Sequence, residues 1–556
     1  MTQRDRGVIA VLSALIVVLA LALTIPAAAP AVATASPSPS PSPSQLADTS
    51  PAPPPLYREG VVGSPSSINP LTARTQADRD LSRLVFSGLV ARGGGVTYLP
   101  DLASTWTVDA SRKTWTFNLS PTARWQDGQS VTAADVVFTV GLLKDPAYRG
   151  PLANSWREVS VTQVDPMTVQ FTLATPLAGF LEDALVGILP RHLLSGVPIA
   201  DLADSTFSNQ PVGSGPFKLV HWDTTSADLT PATTSANQPA LPGIEIRFFA
   251  DQASLAAAYR AGALDAATGL APADAVALAG LSGSRLLNYP GTTFTSVAIN
   301  LRPGHPELAP AAVRTALLQA LDRPAMIAGV LAGTGSQAET PIPPSSWAFD
   351  PAASPAQASN PTAAAVALKA AGWKKGTTGW VAPKGKAPFT FDLLSPDKAS
   401  NPIAWATAEL VTSQWKAFGL KVTHVALAPA DLVARLRAGT FVAALVEVNI
   451  GLDPDLYPLF ASSQAVTGGA NLTGIQDSTL DARLVAARAP GTEAARRAAY
   501  SKLQAALVAN PPMLPLFFQD DLVVVDSRVV GPTIRSLGDL SDRFWDVLTW
   551  RLADGR

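Results

Sequence analysis

The side chains that could carry chemistry are widely spread along this chain. Carboxylates are plentiful, and no pair stands out as an acid/base couple, but Asp453 and Asp455 flank a proline and form one compact cluster. Such a cluster either caps a helix that begins near Leu456 or contacts a ligand, and both interpretations stay open. The four histidines lie far apart and have no metal-ligand spacing. They are His192, His221, His305 and His424.

Motifs of the common enzyme classes are absent from the sequence. It contains no HExxH, no GxSxG and no DxDxDG calcium loop. Gly213-Ser-Gly215 has the composition of a phosphate-binding loop, but it lacks the Lys-Ser/Thr of a P-loop and is followed by Pro216. The chain has no cysteine, which excludes disulfides, thiolate metal sites, a cysteine nucleophile and a lipid-modified cysteine. We therefore expect no catalysis, no metal and no cofactor.

Length and charge restrict the class of protein further. A chain of 556 residues exceeds one ordinary hydrophobic core, so two or three domains are expected. Lys and Arg number 41 against 43 Asp and Glu, a net charge of −2, and no basic run could follow a phosphate backbone. Nucleic acid is therefore not an expected partner.

The clearest structural unit is the stretch Tyr98–Leu143. Thr114–Leu119 places its apolar side chains at period two, which predicts a half-buried strand. Asp127-Gly128 predicts a turn, because glycine accepts a positive φ. Thr132 and Asp135 have the spacing of a capping box at the start of a helix. This stretch therefore predicts strand, turn and helix.

The second half of the chain alternates between strand and helix patterns, which predicts α/β lobes with helices covering the sheets. Ile403–Phe418 is predicted to be a helix closed by Gly419, and Leu480–Val508 is predicted to be helical. Near the end, Pro515–Phe518 and Leu522–Val525 are predicted as two strands that return to the first lobe.

The residues of the opening stretch, LPDLASTW, TWTFNL and RWQDGQSVTAADVVFT, resemble the signature of family 5 of the extracellular solute-binding proteins. These are the oligopeptide- and dipeptide-binding receptors of ABC importers. Further matches follow in the family's order over roughly residues 57 to 530. They are Pro211–Lys218, Ala298–Leu301, Val313–Arg323, Ala371–Trp373, Leu452–Asp455 and Pro512–Phe518.

The resemblance implies an α/β, two-lobed periplasmic-binding-protein-like fold with an additional subdomain and a cleft between the lobes. It implies an exported receptor for a peptide-like or other small solute, working with ABC permease subunits in the membrane and acting as a monomer. Two alternatives stay open: an exported hydrolase that acts on peptides, and a sensor that reports its ligand without import.

The expected domain division is discontinuous. It consists of a signal peptide or membrane anchor (1–35), a Ser/Pro-rich spacer (36–56), lobe I (57–97, 208–295 and 516–556), an inserted subdomain (98–207) and lobe II (296–515). Arg4 and Arg6 precede the apolar run Val8–Ile25, and small-x-small spacings follow it, so the N-terminal segment is either cleaved on export or retained as an anchor. The spacer is expected to be extended and to contribute nothing to folding.

Ligand-binding residues are assigned from the resemblance. They are Ser66, Ser67, Asn300, Asn449, Ile450, Gly451, Asp453 and Asn471. The peptide receptors of the family carry a carboxylate three residues before the Asp/Glu-Pro pair, and it binds the peptide's α-ammonium group. This sequence has Ile450 at that position.

An isoleucine cannot restore the hydration that an ammonium group loses in a closed cleft, a loss of roughly several kcal/mol. Asn449 is a neutral acceptor that only partly offsets that loss. Asp453, Asp455 or Glu447 could substitute if the loop is displaced. The sequence therefore predicts a preference for blocked or cyclic peptides, or for an uncharged solute.

Overall fold

The structure is a computed structural model, and it describes residues 55–93, 97–150, 152–235, 237–466 and 468–553. The predicted signal peptide or anchor and most of the predicted spacer lie outside the described residues. Across the described ranges, no helix combines the length and the apolar character that a membrane span requires.

The strands are β1 (Tyr57–Val62), β2 (Val90–Arg92), β3 (Tyr98–Pro100), β4 (Ala103–Val108), β5 (Thr114–Leu119), β6 (Val159–Asp165), β7 (Thr168–Leu173), β8 (Phe217–Trp222), β9 (Ser226–Pro231), β10 (Ile244–Phe249), β11 (Ala266–Thr268), β12 (Ser284–Ile299), β13 (Ser336–Gln337), β14 (Lys374–Lys375), β15 (Trp380–Val381), β16 (Thr390–Pro396), β17 (Lys421–Leu427), β18 (Ala443–Asn449), β19 (Met513–Asp526), β20 (Val529–Val530) and β21 (Arg551–Leu552).

The α-helices are α1 (Gln76–Val85), α2 (Ala133–Lys144), α3 (Ala153–Trp156), α4 (Phe180–Asp183), α5 (Arg191–Leu194), α6 (Thr206–Asn209), α7 (Gln252–Arg260), α8 (Pro272–Ala279), α9 (Ala311–Gln319), α10 (Arg323–Val330), α11 (Pro361–Ala370), α12 (Pro402–Phe418), α13 (Pro429–Ala438), α14 (Tyr457–Phe460), α15 (Ser478–Arg488) and α16 (Glu493–Ala509). Shorter 3₁₀ segments are Ile199–Asp201, Pro306–Leu308 and Ser462–Gln464, and a longer one is Leu540–Thr549.

Two long strands, β12 and β19, connect the two halves of the molecule. Among the described residues, eleven strands form one sheet in the order β17-β16-β18-β12-β19-β11-β1-β10-β9-β8, with β13 added beside β19. We call the half around β1 and β8–β11 lobe I, and the half around β16–β18 lobe II. The expected two-lobed α/β fold is confirmed.

The continuity of β19 corrects the prediction of two separate strands there. Gln519, Asp520 and Asp521 interrupt the apolar pattern, but the backbone stays extended, and Gln519 and Asp521 remain paired with β12 on either side of the slip. The pairing slips between Tyr289 and Thr293 of β12, at the point where the strand passes from one lobe to the other. A polar stretch therefore marks the crossing between the lobes and does not end the strand.

The hydrophobic cores follow the same division. One continuous cluster joins lobe I to the four-stranded sheet β4-β5-β7-β6, with Tyr57 and Ile244 on one side and Phe117 and Phe171 on the other. We call the part of the chain around this four-stranded sheet the inserted subdomain. Lobe II has its own clusters, which include Trp415 and Tyr500. The residue boundaries proposed for the domains stay a prediction.

Several local predictions are confirmed. β5 spans Thr114–Leu119, with Trp115, Phe117 and Leu119 buried. The N–H and the hydroxyl of Thr132 donate to the Asp135 carboxylate at 2.8 and 2.9 Å, and α2 begins at the next residue. The segment predicted to be helical up to Val508 is two helices, α15 and α16, because the chain turns at residues 489–492.

The C-terminal 3₁₀ segment is held to lobe I by a buried ion-pair network. The Arg543 guanidinium donates to Glu59 at 3.0 Å and to both oxygens of Asp80 at 2.7 and 2.6 Å. All three side chains are essentially inaccessible to solvent. The segment Leu540–Thr549 is therefore anchored to lobe I.

Candidate ligand-binding cavity

A cavity of about 220 Å³ lies beside the strand crossing, where segments from both lobes meet. Its lining consists of Thr292, Pro343, Ser345, Ser346, Trp347, Gly451, Leu452 and Ser536. Among the described residues, none that lines it is ionisable. The cavity therefore offers hydroxyls, backbone groups and apolar surface to a ligand.

The slip in β12 creates the wall that carries Thr292. A side chain at Gly291 would clash with the Gln519 carbonyl oxygen of β19, so glycine is required at this point. The Thr292 hydroxyl lies 3.0 Å from Asn449 Oδ1 and 3.3 Å from the Leu537 carbonyl oxygen. The irregular backbone thus directs a hydroxyl toward the loop that carries Ser536.

Asn449 ties the end of β18 to that same loop. Its Nδ2 donates to the Gly538 carbonyl at 2.7 Å, and its Oδ1 accepts from the Gly451 backbone N–H at 2.8 Å. Gly451 has φ +71°, a left-handed conformation that a side chain would strain. Asn449 therefore shapes the cavity wall, with both ends of its amide bonded to protein.

Ile450 occupies the position at which the resemblance implies a carboxylate. Its side chain is 8% exposed and lies in the lobe II hydrophobic cluster that also holds Leu456 and Phe460. Its backbone N–H donates to the Thr292 carbonyl at 3.1 Å. The side chain at this position contributes to a core and offers no polar group to a ligand.

Asp453 forms a partly buried ion pair with Arg496. Its two oxygens accept from Arg496 at 2.6 and 3.0 Å, and the Arg496 guanidinium lies 4.6 Å from the centre of the Trp347 ring. The hydroxyl of Tyr500 donates to the Pro454 carbonyl at 3.1 Å. Asp453 thus holds Arg496 in place, and Arg496 packs against Trp347, which lines the cavity.

Asp455, the second carboxylate of this cluster, contacts the start of a helix. Its Oδ1 accepts from the Tyr457 backbone N–H at 3.1 Å, at the start of α14, and its Oδ2 lies 3.0 Å from Arg488. Burial raises the pKa of the Asp455 carboxyl, while Arg488 opposes that change. Asp455 therefore stabilises the turn that follows the cavity wall.

Glu447 is also engaged within the protein. Its carboxylate accepts from Asn401 Nδ2 at 2.5 Å, from Gln519 Nε2, and from Thr295 at 3.5 Å. These partners are neutral, and burial raises the pKa of the Glu447 carboxyl. Asp453, Asp455 and Glu447 could each replace the ammonium-binding carboxylate that is absent at position 450. All three are bonded to other groups of the protein.

Comparison with known proteins identifies the family. The sequence matches "Bacterial extracellular solute-binding proteins, family 5 Middle" over residues 97–469. The chain belongs to family 5 of the extracellular solute-binding proteins. Proteins of this family are extracellular or periplasmic binding receptors, not enzymes, so the expected function, a receptor for a small solute that serves an ABC importer, is confirmed.

Individual relatives resemble this solute-binding protein over most of its length. Protein XP55 of Streptomyces lividans is 29% identical over 494 residues, covering 86% of each chain. The oligopeptide-binding protein AppA of Bacillus subtilis is 24% identical over 507 residues, covering 89% of this chain and 91% of that protein. The structure of NikZ from Campylobacter jejuni in complex with Ni(L-His) matches with a TM-score of 0.71 at 24% sequence identity. The match covers 89% of this chain and 99% of the NikZ chain.

Ser66 and Ser67 lie away from the cavity lining of this solute-binding protein. The backbone N–H groups of both residues donate to the Asp78 carboxylate, and the Ser67 hydroxyl lies 2.7 Å from that of Thr72. The same carboxylate accepts from the Thr75 backbone N–H at the start of α1. Burial alone would raise the pKa of the Asp78 carboxyl, but these backbone hydrogen bonds outweigh it and lower the pKa. The contacts of Ser66 and Ser67 therefore hold their loop against the start of α1.

Asn300 and Asn471 are buried and act as loop supports. Asn300 Nδ2 donates to the carbonyls of Gly439 and Phe441, at 2.8 Å each. Asn471 Nδ2 donates to the carbonyls of Ala461 and Ile475 at 3.1 and 3.0 Å. Neither residue lines the cavity, whereas Gly451 does and Asn449, Ile450 and Asp453 adjoin it. The full set of ligand contacts stays a prediction.

Three of the cavity residues carry no recognisable signal in the sequence. Thr292, Trp347 and Ser536 come from three distant segments, and each looks locally like an ordinary strand or loop residue. In the sequence, only the family motif around Leu452 points to this region.

Proposed function

We propose that this receptor binds an uncharged or N-terminally blocked solute in the cavity beside the strand crossing and delivers it to an ABC permease. The observation that carries the proposal is the cavity lining, which has hydroxyl and apolar groups but no ionisable side chain among the described residues. Ile450 replaces the expected carboxylate and is buried in the core.

The engaged carboxylates support the same conclusion. A ligand ammonium would have to compete with Arg496 for Asp453 and with Arg488 for Asp455. Breaking such a pair leaves a charge unpaired in a partly buried place, which costs roughly 3–5 kcal/mol when burial is complete. A neutral amide or hydroxyl of a ligand needs only the hydrogen bonds that serines and backbone groups supply.

Calorimetry with matched short peptides tests the proposal. Each peptide is offered with a free N-terminus and with an N-acetyl group, beside cyclic peptides of similar size. We expect the acetylated or cyclic forms to bind at least about tenfold more tightly, a difference of about 1.4 kcal/mol. Trp347→Ala should weaken that binding, while Val366→Ala, a change on an exposed helix face, serves as the matched control.

Tight binding of free peptides that is lost on acetylation would refute the proposed ligand class. Mass spectrometry of solute that co-purifies with the protein would then show which group replaces it. Uptake of the identified solute by cells with and without this gene distinguishes an importer from a sensor, and sedimentation of the purified protein tests the expected monomer.

A Ser–His–Glu arrangement in lobe II resembles the residues of a hydrolase active site. The Ser395 hydroxyl lies 2.6 Å from His424 Nε2, and His424 Nδ1 contacts Glu409. Ser395 is 0% exposed, however, and its hydroxyl donates to the Pro396 carbonyl at 2.8 Å. A nucleophile needs access to substrate and a free lone pair aimed at it. We therefore propose no catalysis here, and a turnover assay with the same peptides should detect no product.

A further inference from the structure

The inserted subdomain approaches lobe II where Gly179 faces Asp453. A Cβ placed on Gly179 would lie 3.4 Å from Asp453 Oδ2 and 3.8 Å from Asp453 Cβ. Gly179 precedes α4 with φ −81°, an ordinary conformation for any residue. Glycine is therefore not required by the backbone at this position, and a methyl group would fit beside Asp453, whereas a larger side chain would press against it.

The lobe II side of this contact is rigid. Asp453 and Arg496 are 11% and 13% exposed, and their two parallel hydrogen bonds hold both side chains in one plane. Arg496 lies against the rings of Trp347 and Tyr500 at 4.6 and 5.7 Å. Trp347 is itself a wall of the cavity, so this ion pair positions the wall.

The subdomain side is equally well fixed. Phe180, the residue after Gly179, is fully buried and lies 5.4 Å from Phe171 and 6.5 Å from Phe117, centre to centre. Two residues further on, Glu182 accepts from Arg92 of lobe I at 2.8 Å. The segment that carries Gly179 therefore moves with lobe I and the subdomain as one body.

We propose that Gly179, Asp453 and Arg496 form a closure seat, the contact at which the subdomain meets lobe II when the cleft closes over its ligand. Asp453 and Arg496 are positioning residues: they hold Trp347 at the cavity and present a rigid surface to the Gly179 backbone. The inference rests on the proposed receptor function, in which two lobes close about the crossing strands. Opening the cleft separates Gly179 from Asp453 and leaves the ion pair intact.

Disulfide trapping tests whether these residues meet. The chain has no cysteine, so Gly179→Cys with Asp453→Cys creates a single possible intramolecular disulfide. The Cβ separation of 3.8 Å equals the mean value for disulfides. We expect the double variant to cross-link on mild oxidation without added ligand.

The matched control pairs Asp453→Cys with Gly196→Cys. Gly196 lies on the same subdomain with nothing within 4 Å of its Cβ position, so no cross-link should form. Failure of the first pair to cross-link, or equal cross-linking in both pairs, would overturn the closure seat. Cross-linking of the first pair alone would support the seat, and calorimetry on the unsubstituted protein tests the ligand class separately, which keeps the two ideas distinguishable.

A second set of variants tests the space that glycine provides. Gly179→Leu should hold the seat open, whereas Gly179→Ala adds only an ordinary contact and Gly196→Leu adds bulk in open space. Hydrogen exchange of residues 450–456 in the ligand-free protein is the measurement. We expect faster exchange in Gly179→Leu alone, with unchanged melting temperature in all three variants, and equal exchange in all three would refute the role of Gly179.

Discussion

Removing the charge of Asp521 should make the protein more stable at alkaline pH. Asp521 lies on β19 opposite Tyr289, next to the slip in the pairing with β12, and is half-buried. Burial raises the pKa of the Asp521 carboxyl to about 7. The negative charges of Asp539, Asp520 and Asp542 act in the same direction, and the positive charge of Arg543 opposes them. The folded protein therefore holds this proton more tightly than the unfolded chain does.

The size of the effect follows from the difference between the folded and unfolded pKa. With an ordinary value of 3.8 and a folded value of about 7, the difference is worth up to ~4 kcal/mol. Partial exposure reduces this figure, and we expect roughly 2 kcal/mol. The stabilisation is fully present below pH 3.8 and is lost as the pH rises through about 7.

Urea unfolding of the wild type and of Asp521→Asn, followed by tryptophan fluorescence between pH 4.5 and 8, measures this difference. The variant should be close to the wild type at pH 4.5 and about 2 kcal/mol more stable at pH 8. Asp183, whose pKa burial also raises to about 7, affects both proteins equally and cancels in the comparison.

Asp223→Asn is the control of opposite sign. Hydrogen bonds from the hydroxyl and backbone of Thr225 lower the Asp223 pKa to about 2, so that carboxylate stabilises the fold above pH 4 and the variant should lose stability there. Parallel stability curves for the wild type and Asp521→Asn across the whole range would refute the reasoning about Asp521.

Two further predictions concern buried polar groups. Arg543→Met should lower the free energy of unfolding by about 3–5 kcal/mol, because Glu59 and Asp80 would keep uncompensated charges in the lobe I core; a melting temperature equal to that of the wild type would contradict this. Asn300→Ala and Asn471→Ala should each cost about 1–3 kcal/mol, because buried carbonyls lose their donors. Calorimetry should show unchanged ligand affinity in both, and weaker binding would mean that these side chains reach the ligand.

The sequence by itself determined the local elements and the family of this protein. Period-two apolar spacing placed β5, the Thr132–Asp135 pair placed the start of α2, and Gly419 marked the end of α12, where it has φ +103°. These features depend on residues within a few positions of one another, so local patterns suffice to predict them. The isoleucine at position 450 was likewise visible without a structure.

Only the tertiary structure decided which partner each polar group takes. Asp453 could have capped a helix or bound a ligand, but the fold brings Arg496 to it from 43 residues away. The cavity likewise depends on Thr292 and Ser536, which belong to distant segments joined by the β12–β19 crossing. A carboxylate or an amide can satisfy its hydrogen bonds in several ways with similar free energy, and the choice among them rests on which groups the chain topology brings within about 3 Å.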